Sequence, residues 1–106
     1  MRSIELEITN ASGLHARPAA LFVKAALGFR CAVRVRNVER DSPAANAKSI
    51  LSVLAQGAGR GTRIEITTDG EDEDEALETL GRLVETGLGE DAPTGVEVER
   101  LPSARR

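Results

Sequence analysis

The patterning of this 106-residue chain predicts an α+β fold, an open-faced β-sandwich with an antiparallel sheet of about four strands and three helices on one face. Three observations point there. Segments of period two alternate with segments of helical period in the order β-α-β-(β)-α-β-α. The strand segments are short and polar on one face, which suits an antiparallel sheet with one wet side. Hydrophobic residues make up 41% of the chain, enough for one core in a domain that buries only somewhat more than ~60% of its unfolded surface.

Ile4, Leu6 and Ile8 alternate with Glu5 and Glu7, giving the first strand, and Asn10, Ser12 and Gly13 end it. Ala19, Phe22, Val23 and Ala26 share one stripe of a helix from Ala16 to Leu27, with Gly28 as its stop. Cys31, Val33 and Val35 face opposite Arg34 and Arg36 in a second strand. Residues 37–45 are weakly patterned; Pro43 confines any third strand there to an edge or a bulge. Asn46 reads as the N-cap of a short helix from Ala47 to Ala55. After a glycine-rich break, Arg63 to Thr68 reads as a strand and Asp69-Gly70 as a turn. Ala76, Leu77, Leu80, Leu83 and Val84 then stripe a helix from Asp72 to Gly87, whose acidic first turn suits the positive end of its dipole. The compact domain is expected to span residues 1–88. Residues 89–106 read as a C-terminal extension, flexible or forming one short strand around Val96.

Composition removes several function classes. Phe22 and Phe29 are the only aromatics, too few for the stacking platforms that bind single-stranded nucleic acid. One cysteine and one histidine support neither an internal disulfide nor a four-ligand zinc site. The longest apolar run, Pro18 to Val23, is far short of the ~20 residues that cross a bilayer. The acidic, alternating segment from Met1 to Ile8 is unlike a secretory signal, and a cytoplasmic location is expected. The net charge of −3 is divided as +5 over residues 1–60 and −8 over 61–106. That division suits either a solvated acidic helix or a basic half that meets an anion or an acidic partner.

The basic half carries the candidate site. His15, the only histidine, stands at the N-cap position of the first helix, after a glycine and before Ala16, Arg17 and Pro18. Proline in the first turn costs no hydrogen bond, and the amides of Ala16 and Arg17 are free to meet an anion. Arg17 adds a planar fork matched to phosphate. Imidazole attacks only when neutral, and a positive helix end favours that form. Together these residues suit a phosphoryl acceptor better than a general base, because no Ser, Cys or carboxylate lies close in sequence to be activated. A histidine serving merely as a cap is the competing reading.

The run Gly13-Leu14-His15-Ala16-Arg17-Pro18-Ala19 resembles the active-site signature of HPr, the histidine-containing phosphocarrier of the bacterial phosphoenolpyruvate:sugar phosphotransferase system. Asn46-Ala47-Lys48-Ser49-Ile50-Leu51 is similar to that family's second motif, and Asp69 to Leu77 to its turn into the last helix. The likeness covers roughly residues 2–88. It implies that His15 takes a phosphoryl group on Nδ1 from enzyme I and passes it to enzyme IIA domains, with Arg17 steadying the charge and the Ala16 amide assisting. A phosphocarrier of this kind is expected to need no metal or organic cofactor of its own. The likeness also implies the open-faced sandwich, a monomer, and a regulatory phosphorylation of Ser49 by an HPr kinase/phosphorylase. Ile50, Leu51 and Leu54 would form an apolar docking patch, bordered by Ala20 and Lys24 of the first helix. The residues themselves allow two readings of that patch, core or surface. The short helix holds more apolar side chains than one buried stripe needs, so Val53 is expected inside and Leu51 and Leu54 partly exposed. Three departures from the family stand out: Leu27 replaces a frequent lysine, residues 41–45 lack the usual turn-and-strand pattern, and the chain continues past residue 89. Regulatory members, and carriers serving nitrogen-linked or dihydroxyacetone-linked branches, are the alternative within the family. Outside it, a generic ligand-binding α+β module explains neither motif.

Overall fold

The computed structural model describes residues 1–90. The elements are β1 (Arg2–Glu7), α1 (Ala16–Leu27), β2 (Ala32–Asn37), β3 (Ala45–Asn46), α2 (Ile50–Leu54), β4 (Arg63–Asp69) and α3 (Glu73–Glu85). The four strands form one sheet in the order β1-β4-β2-β3, with every pair antiparallel. The expected open-faced sandwich is thus the fold observed. The expectation around Val96 lies outside the described residues.

The alternation in the strands decides which face is covered. Val33 and Val35 of β2 and Ile64 and Ile66 of β4 are buried, while Ile4 and Leu6 of β1 pack against the same core from its edge. Phe22, Ala19 and Ala26 of α1 meet them, with Ala76, Leu80 and Val84 of α3 and Val53 of α2. The opposite face is wet and ionic. The register sets Glu5 directly across from Glu65, a repulsive placement. Each acid has its own arginine: Arg63 Nε lies 3.6 Å from Glu5 and Arg36 Nε 3.3 Å from Glu65. Such part-exposed pairs contribute little individually, ~0–1 kcal/mol, but here they offset a like-charge contact that the register imposes.

The third strand is the two-residue β3, just past Pro43, at the sheet edge to which the proline is expected to confine it. The readings of the two later helices are corrected. Asn46 belongs to β3 and pairs with Arg34, so it does not cap α2. Its Oδ1 instead accepts the Lys48 N–H at 3.0 Å in a local turn. The cap is Ser49, and α2 starts at Ile50 instead of Ala47 because Ser49 is still extended, at φ −116° and ψ 119°, while the Ala47 N–H remains tied to the sheet through the Val33 carbonyl at 2.9 Å. Helix α3 stops at Glu85, two residues short of Gly87, and the chain turns back through residues 86–90.

The start of α3 is tied to the start of β2. Asp72 occupies the N-cap position but its carboxylate does not cap its own helix. It accepts the N–H groups of Arg30 and Cys31, each at 2.9 Å. The approach is close: a Cβ on Gly70, whose φ is +148°, would stand 2.8 Å from the Cys31 Cα. The Arg30 N–H above all, and then the Cys31 N–H, hold the Asp72 carboxyl below its ordinary value of 3.8. A carboxyl with a depressed folded-state value stabilises the fold above its unfolded value, and the contribution fades as pH falls through the folded one. Asp72→Asn should therefore lower the thermal midpoint at neutral pH, and the gap from the parent protein should narrow below pH 3.8. A gap independent of pH in thermal unfolding would refute this assignment.

Candidate functional site

The loop that delivers His15 is held from several sides. Ile8 and Thr62 are joined by the Ile8 N–H at 2.8 Å, and the Gly61 N–H returns a bond to the Ile8 carbonyl at 2.7 Å. Leu14, fully buried, donates its N–H to the Ala58 carbonyl at 2.8 Å. Gly13 fits between these with φ +67°; a Cβ there would lie 2.5 Å from the Ala58 oxygen and 2.6 Å from the Gly59 Cα. Both the sign of φ and the lack of room require glycine. The loop is thus pressed onto residues 58–62 immediately before the histidine.

His15 follows in extended conformation, φ −136° and ψ 163°, at the N-cap of α1. Its side chain makes no capping hydrogen bond and is half-buried. The histidine therefore occupies the cap position without acting as a cap, which argues against the competing reading. Ala16 has φ +51°, the left-handed region, although it is not glycine. Such a residue costs of order 1 kcal/mol or more, and strain of this kind gathers at functional sites. Among the described residues, the N–H groups of Ala16 and Arg17 have no hydrogen-bond partner. Both residues are exposed, whereas Pro18 and Ala19 behind them are buried and anchor the turn.

Arg17 and Pro18 line a shallow depression of about 250 Å³ together with Leu88, Gly89 and Glu90. A larger open groove of about 670 Å³ lies elsewhere, between α1 and α3, and includes Lys24 and Phe29 but neither His15 nor Arg17. Among the described residues, the corner formed by His15, Ala16 and Arg17 is an exposed edge. An edge with a free imidazole, unpaired amides and an arginine can exchange an anionic group with another macromolecule's surface.

The remaining sequence-derived residues divide clearly. Ala20 and Lys24 are exposed on α1, as is Leu27 at 59%. On α2, which packs against α1, Leu51 is 76% exposed and Ile50 39%, Leu54 is partly covered, and Val53 is in the core. Ser49 is half-buried; its Oγ accepts the Ser52 N–H at 3.4 Å, a long bond. Sequence reasoning missed Asn10, Ser12 and Glu90, which meet beside the His15 loop. Asn10 and Ser12 read only as turn formers, and no local signal pairs either with a residue about eighty positions away.

Comparison with known proteins agrees with this geometry. The family model described as "PTS HPr component phosphorylation site" matches residues 2–86. The phosphocarrier protein HPr of Pseudomonas aeruginosa is 44% identical over 91 residues, covering 85% of this chain and 98% of that protein. A multiphosphoryl transfer protein of Haemophilus influenzae is 39% identical over 83 residues, 78% of this chain; the chain spans only 17% of that longer protein. Among solved structures, an HPr from Thermoanaerobacter tengcongensis superposes with a TM-score of 0.79 at 41% identity, covering 86% of this chain and 99% of that one.

The capping role of Ser49 has a direct test. Ser49→Ala should lower stability by about 0.5–1 kcal/mol, the low end of the range for a lost cap. Ser49→Asp keeps an acceptor at the helix start and should be at least as stable as the parent. Equal losses in both variants, measured by urea unfolding, would remove the cap from the account.

Proposed function

Because the chain belongs to the PTS HPr family, we propose that it is a cytoplasmic, monomeric phosphocarrier in which His15 shuttles a phosphoryl group. The group originates from phosphoenolpyruvate and arrives through enzyme I. The His15 imidazole attacks phosphorus through Nδ1, so that a P–N bond forms as the bond to the donor breaks. The reverse exchange delivers the group to an enzyme IIA domain for sugar uptake. Arg17 neutralises the transferring charge with its planar fork, and the Ala16 amide adds a donor. The carrier needs no metal or organic cofactor, because the partners supply and consume the group.

One observation carries this reading: His15 sits at a helix N-terminus with its imidazole unused. The exposed Ile50 and Leu51, with Leu54, Ala20 and Lys24, form the surface on which partners dock. That surface combines apolar contact with positive charge and so suits an acidic partner. Ser49 lies next to it, where a kinase could add about two negative charges that oppose such docking.

Incubation with enzyme I and phosphoenolpyruvate should add one acid-labile, base-stable phosphoryl group, and His15→Ala should abolish it. Labelling that persists in His15→Ala would overturn the proposal. Arg17→Ala should slow transfer by about tenfold or more, as expected for losing a charged donor at the transferring group. Its thermal midpoint should not change, since Arg17 is exposed. Arg17→Lys should recover only part of the rate, because an ammonium lacks the fork. Wild-type transfer by Arg17→Ala would remove that residue from the mechanism.

A further inference from the structure

We infer that Glu90 is a positioning residue for phosphoryl transfer, clamping the loop that presents His15, a role that rests on the phosphocarrier reading above. Its Oε1 accepts the Ser12 N–H at 2.8 Å and the Asn10 Nδ2 at 3.0 Å, while Oε2 accepts the Ser12 hydroxyl at 2.6 Å. One carboxylate thus takes three hydrogen bonds from a segment 78 to 80 positions away. Hydrogen bonds to a charged acceptor are short and about twice as strong as neutral ones. The Ser12 hydroxyl above all, and then the Asn10 amide, hold the Glu90 carboxyl below the usual carboxylate range.

The clamp reaches the reactive residue through Asn10. This side chain is fully buried, and its Nδ2 donates both to Glu90 and to the Gly13 carbonyl, at 3.0 Å each. Gly13 is two residues from His15. The Asn10 Oδ1 has no partner among the described residues, so the orientation of this buried amide depends on its two donor bonds. The turn that aims Glu90 is itself constrained: Gly87, Leu88 and Gly89 are all left-handed, with φ of +89°, +52° and +75°. Leu88 is buried despite that conformation, which fixes the turn over the depression that Arg17 shares. No ion pair joins Glu90 to Arg17 among the described residues. The carboxylate is occupied by the loop, and the guanidinium stays available for the phosphoryl group.

The test compares the full-length protein with Glu90→Gln, Ser12→Ala and the double variant, using enzyme I, phosphoenolpyruvate and a range of carrier concentrations. Glu90→Gln preserves the side chain's size but removes one of its two acceptor oxygens. Each single variant should reduce kcat about fivefold at nearly constant KM, a modest fraction of the ~100-fold that a 1 Å misplacement can cost. The double variant should be no slower than the slower single, because both substitutions break the same clamp. Unchanged kcat in both singles overturns the positioning role, as does a lowered thermal midpoint with unchanged kcat, which is the mark of a purely structural contact. Should Glu90→Gln fail to fold, Ser12→Ala decides alone, since it deletes one exposed hydroxyl. If the parent protein takes no label, the carrier reading falls and the positioning role falls with it. A parent that labels beside variants of equal kcat refutes the clamp only.

Discussion

The pairing of β4 with β1 on one side and β2 on the other fixes where each remaining element goes. Its register with β1 puts Ile64 and Ile66 beside Leu6 and Ile4, and its register with β2 puts Ile66 beside Val35. With those side chains on one face, α1 and α3 must cover that face to bury their own stripes. The same register places Glu5 against Glu65 on the wet side and leaves the flanking arginines to offset the repulsion. Because β4 lies between β1 and β2, the segment just before it, residues 56–62, runs beside the end of β1. It is there that Leu14 and Gly13 find the Ala58 carbonyl.

That contact links the sheet to the loop that carries His15. Leu14 is buried and Pro18 is buried, and the three residues between them remain at the surface. The backbone has to change direction over this short span, and the left-handed Ala16 is where it does so. Tight anchors on both sides allow a strained, exposed residue to persist. The result is a histidine whose backbone is fixed from both sides while its side chain stays only half-buried.

The short helix α2 shows the same economy. With Val53 in the core and Leu51 largely in water, it buries only a narrow stripe and contributes apolar surface outward. A five-residue helix is weak by itself. Its first turn is held by Ser49, and its far end by Arg40, whose guanidinium donates to the Ala55 and Gln56 carbonyls at 3.2 and 2.9 Å. Ser49 is thus the cap on which the start of this short helix rests.

The sequence by itself determined the order of elements, the wet and dry faces of the strands, the limits of α1 from Ala16 to Leu27, and the grouping of His15 with Arg17. All of these follow from periodicity, glycine and proline placement, and neighbours within a few positions, which a linear chain states directly. Asn46 and Ser49 are equally good caps by residue type, and only the pairing of Asn46 with Arg34 in the sheet decided between them. The use of Asp72 to bind Arg30 and Cys31 and the closing of Glu90 onto Ser12 were likewise tertiary decisions. Each depends on groups brought together from distant positions, and a hydrogen bond has no period: nothing in the residues around Glu90 says where its carboxylate will find three donors.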